Sequence, residues 1–178
     1  MKLITSATLS TLLLSASALA DNQFYAGLKA GVSHLDGVDR AVTNWTGIDD
    51  TDTAYGIYAG YRLLPALAVE AGYNYLGEFD LKDVNGSYEA SSFDLLLKVS
   101  GNVTDAFSLY AKGGISIYDW QANGSGVESD DSDVSPTLAF GAQYALTQQF
   151  DLGLEYQVYA DIGGTNIGVG NLLLSYSW

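Results

Sequence analysis

From residue 23 onward, apolar and polar side chains alternate in eight stretches: 23–34, 53–63, 66–80, 87–100, 106–119, 134–146, 149–160 and 165–178. A period of two predicts strands whose successive side chains point to opposite faces. Each stretch meets the ~9–11 residues a tilted strand needs to cross a bilayer. In the third, Leu67, Val69, Ala71, Tyr73 and Tyr75 oppose Ala68, Glu70, Gly72 and Asn74. In the fourth, Phe93, Leu95, Leu97 and Val99 oppose Asp94, Leu96 and Lys98. The fifth sets Leu109, Ala111, Ile115 and Ile117 against Tyr110, Lys112, Gly114 and Ser116; the seventh sets Leu152, Leu154, Tyr156 and Val158 against Asp151, Gly153, Glu155 and Gln157. A soluble sandwich also alternates, with its apolar face buried. In a membrane barrel that face meets lipid and the polar face lines the lumen.

The connections alternate in length. Leu64-Pro65, Gly101-Asn102-Val103-Thr104 and Thr147-Gln148 predict tight turns. Between them lie polar loops at 35–52, 81–86 and 120–133, and a compact one at 161–164. Short turns on one side and longer loops on the other are the asymmetry of bacterial outer-membrane barrels. With an even strand number, both termini are expected in the periplasm. The fold expected is all-β: an eight-stranded antiparallel up-and-down transmembrane β-barrel.

The ends of the chain agree with export to that membrane. Lys2, an uncharged run over 3–19 and Ala18-Leu19-Ala20 fit a secretory leader, so 1–20 is expected to be cleaved and 21–178 to form the barrel. At the other end, Leu172, Leu174, Tyr176 and Trp178 take the outward phase. A terminal aromatic there resembles the signal read by the machinery that inserts such barrels. Outward aromatics also gather toward strand ends: Phe24, Tyr61, Phe107, Phe150, Tyr176 and Trp178 at one, Tyr75 and Phe79 at the other, as interfacial girdles do.

Composition narrows the chemistry. The absence of Cys removes disulfides and thiolate sites. A net charge of −14 makes nucleic acid an improbable partner. Against that acidity, Lys29, Arg62, Lys98 and Lys112 share the inward phase with Glu70, Asp94, Asp151 and Glu155. Charges in a narrow lumen are costly unless paired, so these eight are expected to form an internal network, structural or gating. Glycines at 27, 31, 56, 60, 72, 114, 141 and 153 share the same phase and make room for long side chains. An eight-stranded interior is just wide enough to be filled by side chains. No metal or cofactor is expected. Glu128-Ser129-Asp130-Asp131-Ser132-Asp133 lacks the spacing of a calcium loop, and His34, the single histidine, has no partner at catalytic spacing.

The run Phe24-Tyr25-Ala26-Gly27-Leu28-Lys29-Ala30-Gly31, with Gly60-Tyr61…Pro65, Val69-Glu70-Ala71-Gly72-Tyr73-Asn74-Tyr75-Leu76-Gly77, Val134-Ser135-Pro136 and Leu154-Glu155-Tyr156-Gln157, resembles the transmembrane domain of the OmpA family. The resemblance implies a monomeric outer-membrane barrel surrounded by lipid and lipopolysaccharide. It implies that Glu70 and Lys98 form a central carboxylate–ammonium pair, with Lys112 and Glu155 as a second. Two positions depart from the pattern. Gly153 stands where the family places an Arg that competes for the central Glu, and Gln143 replaces an internal acid. Glu70 is therefore expected to lack an alternative cation. The chain also reaches Trp178 without a Pro-rich linker or peptidoglycan-binding domain. The role expected is that of a structural envelope component displaying acidic loops; the alternatives are a narrow ion or small-solute pore and, more remotely, a lipid-modifying enzyme.

Overall fold

The computed structural model of this chain describes residues 23–36, 51–81, 86–124, 127–162 and 165–178. They form β1 (Phe24–Asp36), β2 (Thr51–Leu64), β3 (Leu67–Leu81), β4 (Gly86–Asn102), β5 (Phe107–Gly124), β6 (Val127–Ala145), β7 (Phe150–Ile162) and β8 (Thr165–Ser177). Every strand pairs antiparallel with its chain neighbours, and β8 pairs back onto β1 to close the barrel. Closure removes the edges that an open sheet would leave unpaired. The leader expected at 1–20 and most of the loop expected at 35–52 lie outside the described residues.

The two faces divide as the alternation predicts. Leu138 and Leu154 are 67% and 64% exposed on the outer wall, in a band shared with Leu28, Ile57, Leu97 and Leu172. So much exposed aliphatic surface needs an apolar solvent rather than water. The inward phase holds Lys29, Glu70, Asp94, Lys98, Lys112 and Glu155, all buried.

Three tight connections and both barrel termini share one end, here called the turn end; the other is the loop end. Two of these turns repeat one device. Thr104 Oγ1 accepts hydrogen bonds from the N–H groups of Ala106 and Phe107, and Thr147 Oγ1 from those of Gln149 and Phe150. The threonine thus satisfies two donors that the ladder has released. The turns span 103–106, two residues beyond the expected 101–104, and 146–149, one residue wider on each side than the expected 147–148. Near the turn end Phe24 packs on Tyr61 at 4.7 Å, Phe150 on Tyr176 at 5.1 Å, and Tyr176 on Trp178 at 5.2 Å, forming an aromatic belt.

Two features depart from expectation. The segment 120–133 is no loop: β5 runs to Gly124 and β6 begins at Val127, paired from Gly124↔Val127 downward. The backbone pairing of this extension satisfies N–H and C=O groups along a mostly polar sequence. The β6–β7 ladder, by contrast, starts only at Thr137↔Tyr159, so this hairpin stands above its neighbour. Leu76 keeps the inward phase of Asn74, and the register shift in β3 between Tyr75 and Gly77 then sets Gly77, at φ +119° and open mainly to glycine, opposite buried Ala90. Beyond the shift the numbering parity changes sides. Phe79, expected outward, pairs through its backbone with Tyr88 beyond the shift.

Candidate functional site

The interior chemistry is fixed by cross-strand register. Lys98 and Lys112 lie directly opposite one another on β4 and β5, an arrangement that is unfavourable for like charges without a counter-ion. Glu70, reaching in from β3, supplies it. Lys112 Nζ lies 2.5 Å from Glu70 Oε2 and 2.6 Å from Glu155 Oε2. Lys98 Nζ lies 3.5 Å from Glu70 Oε1 and donates to Gln143 Oε1 at 3.0 Å. Lys29 Nζ lies 3.8 Å from Glu155 Oε1 and donates to Gln157 Oε1 at 3.0 Å. The result is one ladder, Lys98–Glu70–Lys112–Glu155–Lys29, in which Lys112 is the cation common to both carboxylates.

Tyrosines complete the ladder, and glycines admit them. Tyr25 OH donates to Glu70 Oε1 at 2.7 Å, and Tyr110 OH to Glu155 Oε2 at 3.1 Å. Lys98 lies over the Tyr110 ring at 4.3 Å, and Lys112 over Tyr58 at 5.2 Å, so ring faces shield the ammonium groups as well. Each of the three rings crosses a glycine on the facing strand. Tyr25 pairs with Gly60, Tyr58 with Gly27 and Tyr110 with Gly141, and a Cβ on any of these glycines would overlap the ring. The absent side chain makes room for each ring, and lets Tyr25 and Tyr110 aim their hydroxyls at Glu70 and Glu155.

Toward the loop end, Asp94 is held differently. It is 1% exposed, and no cation reaches it among the described residues. Ser92 and Ser116 donate to Oδ1 at 3.0 and 2.8 Å; Asn74, Gln157 and Tyr159 donate to Oδ2 at 2.7, 2.8 and 3.0 Å. Neutral donors so arranged stabilise a carboxylate without a partner charge. Through Gln157 this cage joins Lys29 and the ladder below.

A model of the OmpA-like transmembrane domain matches residues 19–170. This chain belongs to that family. It is similar to outer membrane protein A of Shigella flexneri, 31% identical over 153 residues, covering 82% of this chain and 44% of that protein. With outer membrane protein A of Escherichia coli O157:H7 it shares 32% over 168 residues, covering 89% and 48%. The chain thus spans less than half the length of these relatives. In fold it resembles Neisserial surface protein A (TM-score 0.66, 14% identity, 87% of this chain and 97% of that one). It also resembles the N-terminal β-barrel domain of Pseudomonas aeruginosa OprF (TM-score 0.59, 13% identity, 86% and 97%).

The lumen of this OmpA-like barrel is unequal at its two ends. At the turn end a vestibule of about 180 Å³ reaches inward to Tyr25, Lys98 and Gln143. Arg62 and Asp151, expected within the network, stand instead at its mouth, half-buried. Arg62 donates to Ser177 Oγ at 3.1 Å and lies over the Tyr25 ring at 4.8 Å. At the loop end Ala54, Leu76, Ala90, Tyr118, Tyr159, Ile167 and Val169 pack into an apolar cluster inside the barrel.

The expected pairs are therefore rearranged. Glu70 does contact Lys98, but its shorter contact is to Lys112, so the expectation that Gly153 leaves it without a second cation is corrected. Lys112 reaches it from β5, two strands from the β7 position of Gly153 in ladder order. Gln143 contributes an amide oxygen to Lys98 in place of an acid. Asp94, expected to pair with a cation, is satisfied by neutral groups. Sequence reasoning placed Tyr110 and Gln157 on the inward face but gave them no role, and did not single out Tyr25 or Tyr58; for the tyrosines the available signal is the Gly–Tyr opposition in paired strands. His34 faces outward with its Nε2 3.2 Å from Tyr156 OH, away from the lumen network.

Proposed function

We propose that this protein is a structural component of the bacterial outer membrane, a closed and non-catalytic barrel that displays acidic hairpins to the exterior. The observation that carries this reading is the filled lumen: among the described residues, a ladder of mutually neutralising side chains lies beneath an apolar cluster. A buried network of this kind holds opposite walls of the sheet together and fixes their register. In this reading the turn end and both termini face the periplasm, and 1–20 is an export leader. Lipid and lipopolysaccharide cover the outer wall, β8 presents the strand that the insertion machinery engages, and the barrel works as a monomer. A narrow pore is the second reading, favoured by the vestibule, which brings water as far as Lys98.

Planar-bilayer recording on the purified protein separates the two. The structural reading expects no steady conductance. Large, long-lived channels in the unmodified protein would refute it and favour the pore.

A further inference from the structure

Three observations bear on where this barrel stops ions and water. First, solvent access declines along the ladder from the vestibule: side-chain exposure is 10% at Lys98, 3% at Glu70, 2% at Lys112 and 0% at Glu155, with a slight rise to 5% at Lys29. The charges are therefore approached from the turn end, and the polar chemistry is continuous with the vestibule.

Second, the loop-end cluster is dry by composition. Leu76, Tyr159, Ile167 and Val169 are 1–2% exposed, and Ala90 is 0%. Leu76 joins it on the inward phase of Asn74, just before the register shift in β3. Tyr159 turns its hydroxyl down onto Asp94 and leaves its ring in the cluster.

Third, the hydroxyl side chains at this level face the wall. Ser33 Oγ donates to the Asp52 carbonyl, Ser135 Oγ to that of Ala160, and Thr137 Oγ1 to that of Val158. Their hydroxyl protons go to strand backbone, and Thr137 Oγ1 also accepts from Gln157 Nε2 of the Asp94 cage at 3.2 Å. A constriction lined by hydrocarbon excludes ions by failing to wet, whatever the charges elsewhere.

We propose that the permeation barrier of this barrel is the apolar cap of Leu76, Tyr159, Ile167 and Val169, and that the ion-pair ladder is the blind, hydrated end of a turn-side cavity. The inference rests on the closed-barrel reading. It adds that breaking the ion pairs does not open the barrel, whereas making the cap polar does. Ions entering from the turn end meet exchangeable partners as far as Glu155.

The experiment compares the unmodified protein, a cap variant (Leu76→Ser with Ile167→Ser) and a ladder variant (Glu70→Gln with Lys98→Met) in planar bilayers containing potassium chloride. The expected result is conductance in the cap variant alone. Conductance in the ladder variant, or silence in both, overturns the inference; conductance in the unmodified protein refutes the closed-barrel reading instead. Thiol modification gives a readout that does not depend on the cap variant's folding. With a small charged thiol reagent, Thr137→Cys should react at least about tenfold more slowly than Gln143→Cys in the vestibule, because it must wait for a local opening. Comparable rates at the two positions would mean that water passes the cap, and the inference fails.

Discussion

Replacing Lys112 by methionine tests the ladder at its centre. Its ammonium sits 2.5 and 2.6 Å from two carboxylates, with the side chain 2% exposed, whereas Lys98 has one carboxylate at 3.5 Å and opens on the vestibule. At an effective dielectric of about 20, a unit pair at 2.5 Å attracts by roughly 6–7 kcal/mol and one at 3.5 Å by roughly 4–5. Desolvation cancels most of either figure, but removing one partner leaves the other charge buried, at a cost of about 3–5 kcal/mol. Lys112→Met takes the shortest cation contact from two carboxylates, leaving Glu70 only Lys98 at 3.5 Å and Glu155 only Lys29 at 3.8 Å, and belongs in that range. Lys98→Met leaves Glu70 still paired with Lys112, and water can fill the space, so about 1–3 kcal/mol is expected. Equilibrium urea unfolding in phospholipid vesicles, followed by tryptophan fluorescence, measures both. Adding Glu70→Gln to Lys112→Met should recover part of the loss, a coupling of about 1–3 kcal/mol. If Lys98→Met costs as much as Lys112→Met, or if the coupling vanishes, Lys112 is not the shared cation.

Two further outcomes follow from the geometry. Gly141→Ala places a methyl group against the Tyr110 ring and should destabilise by about 1–3 kcal/mol, while Gly101→Ala, which meets nothing within 4 Å, should be close to neutral in the same unfolding assay. For orientation, cysteine at Ser125 should be labelled by an impermeant reagent on intact cells and cysteine at Asn102 should not; labelling at Asn102 alone would invert the barrel.

How far the sequence was legible depends on how different the two faces are. Across β3 to β7 one face is aliphatic and the other polar, so the eight strands and their phase are readable without coordinates. Where both faces are polar the period disappears, and 120–133 reads as a loop although its backbone continues the ladder. The shift at Leu76 is equally silent, because a single extra residue leaves composition unchanged and only reverses parity. The lumen charges were identifiable by phase, but their partners were not. Which ammonium meets which carboxylate depends on stagger between strands that are distant in sequence, as with Lys29 and Glu155. Asp94 shows the same limit: nothing near it in the chain announces Gln157 or Tyr159.

The height of the β5–β6 hairpin carries one more consequence. Nineteen residues of β6 span about 60 Å at 3.3 Å each, well over the ~25 Å apolar band even when strongly tilted. Above Thr137 this strand has β5 on one side and no strand ladder on the other among the described residues. Such a rail could template pairing with another chain. Its sequence resists this: Pro136 has no N–H to donate, and Glu128, Asp130, Asp131 and Asp133 would bring carboxylates together in any self-pairing. The acidity that makes the segment look like an ordinary solvated loop keeps a long exposed strand from finding a second copy of itself.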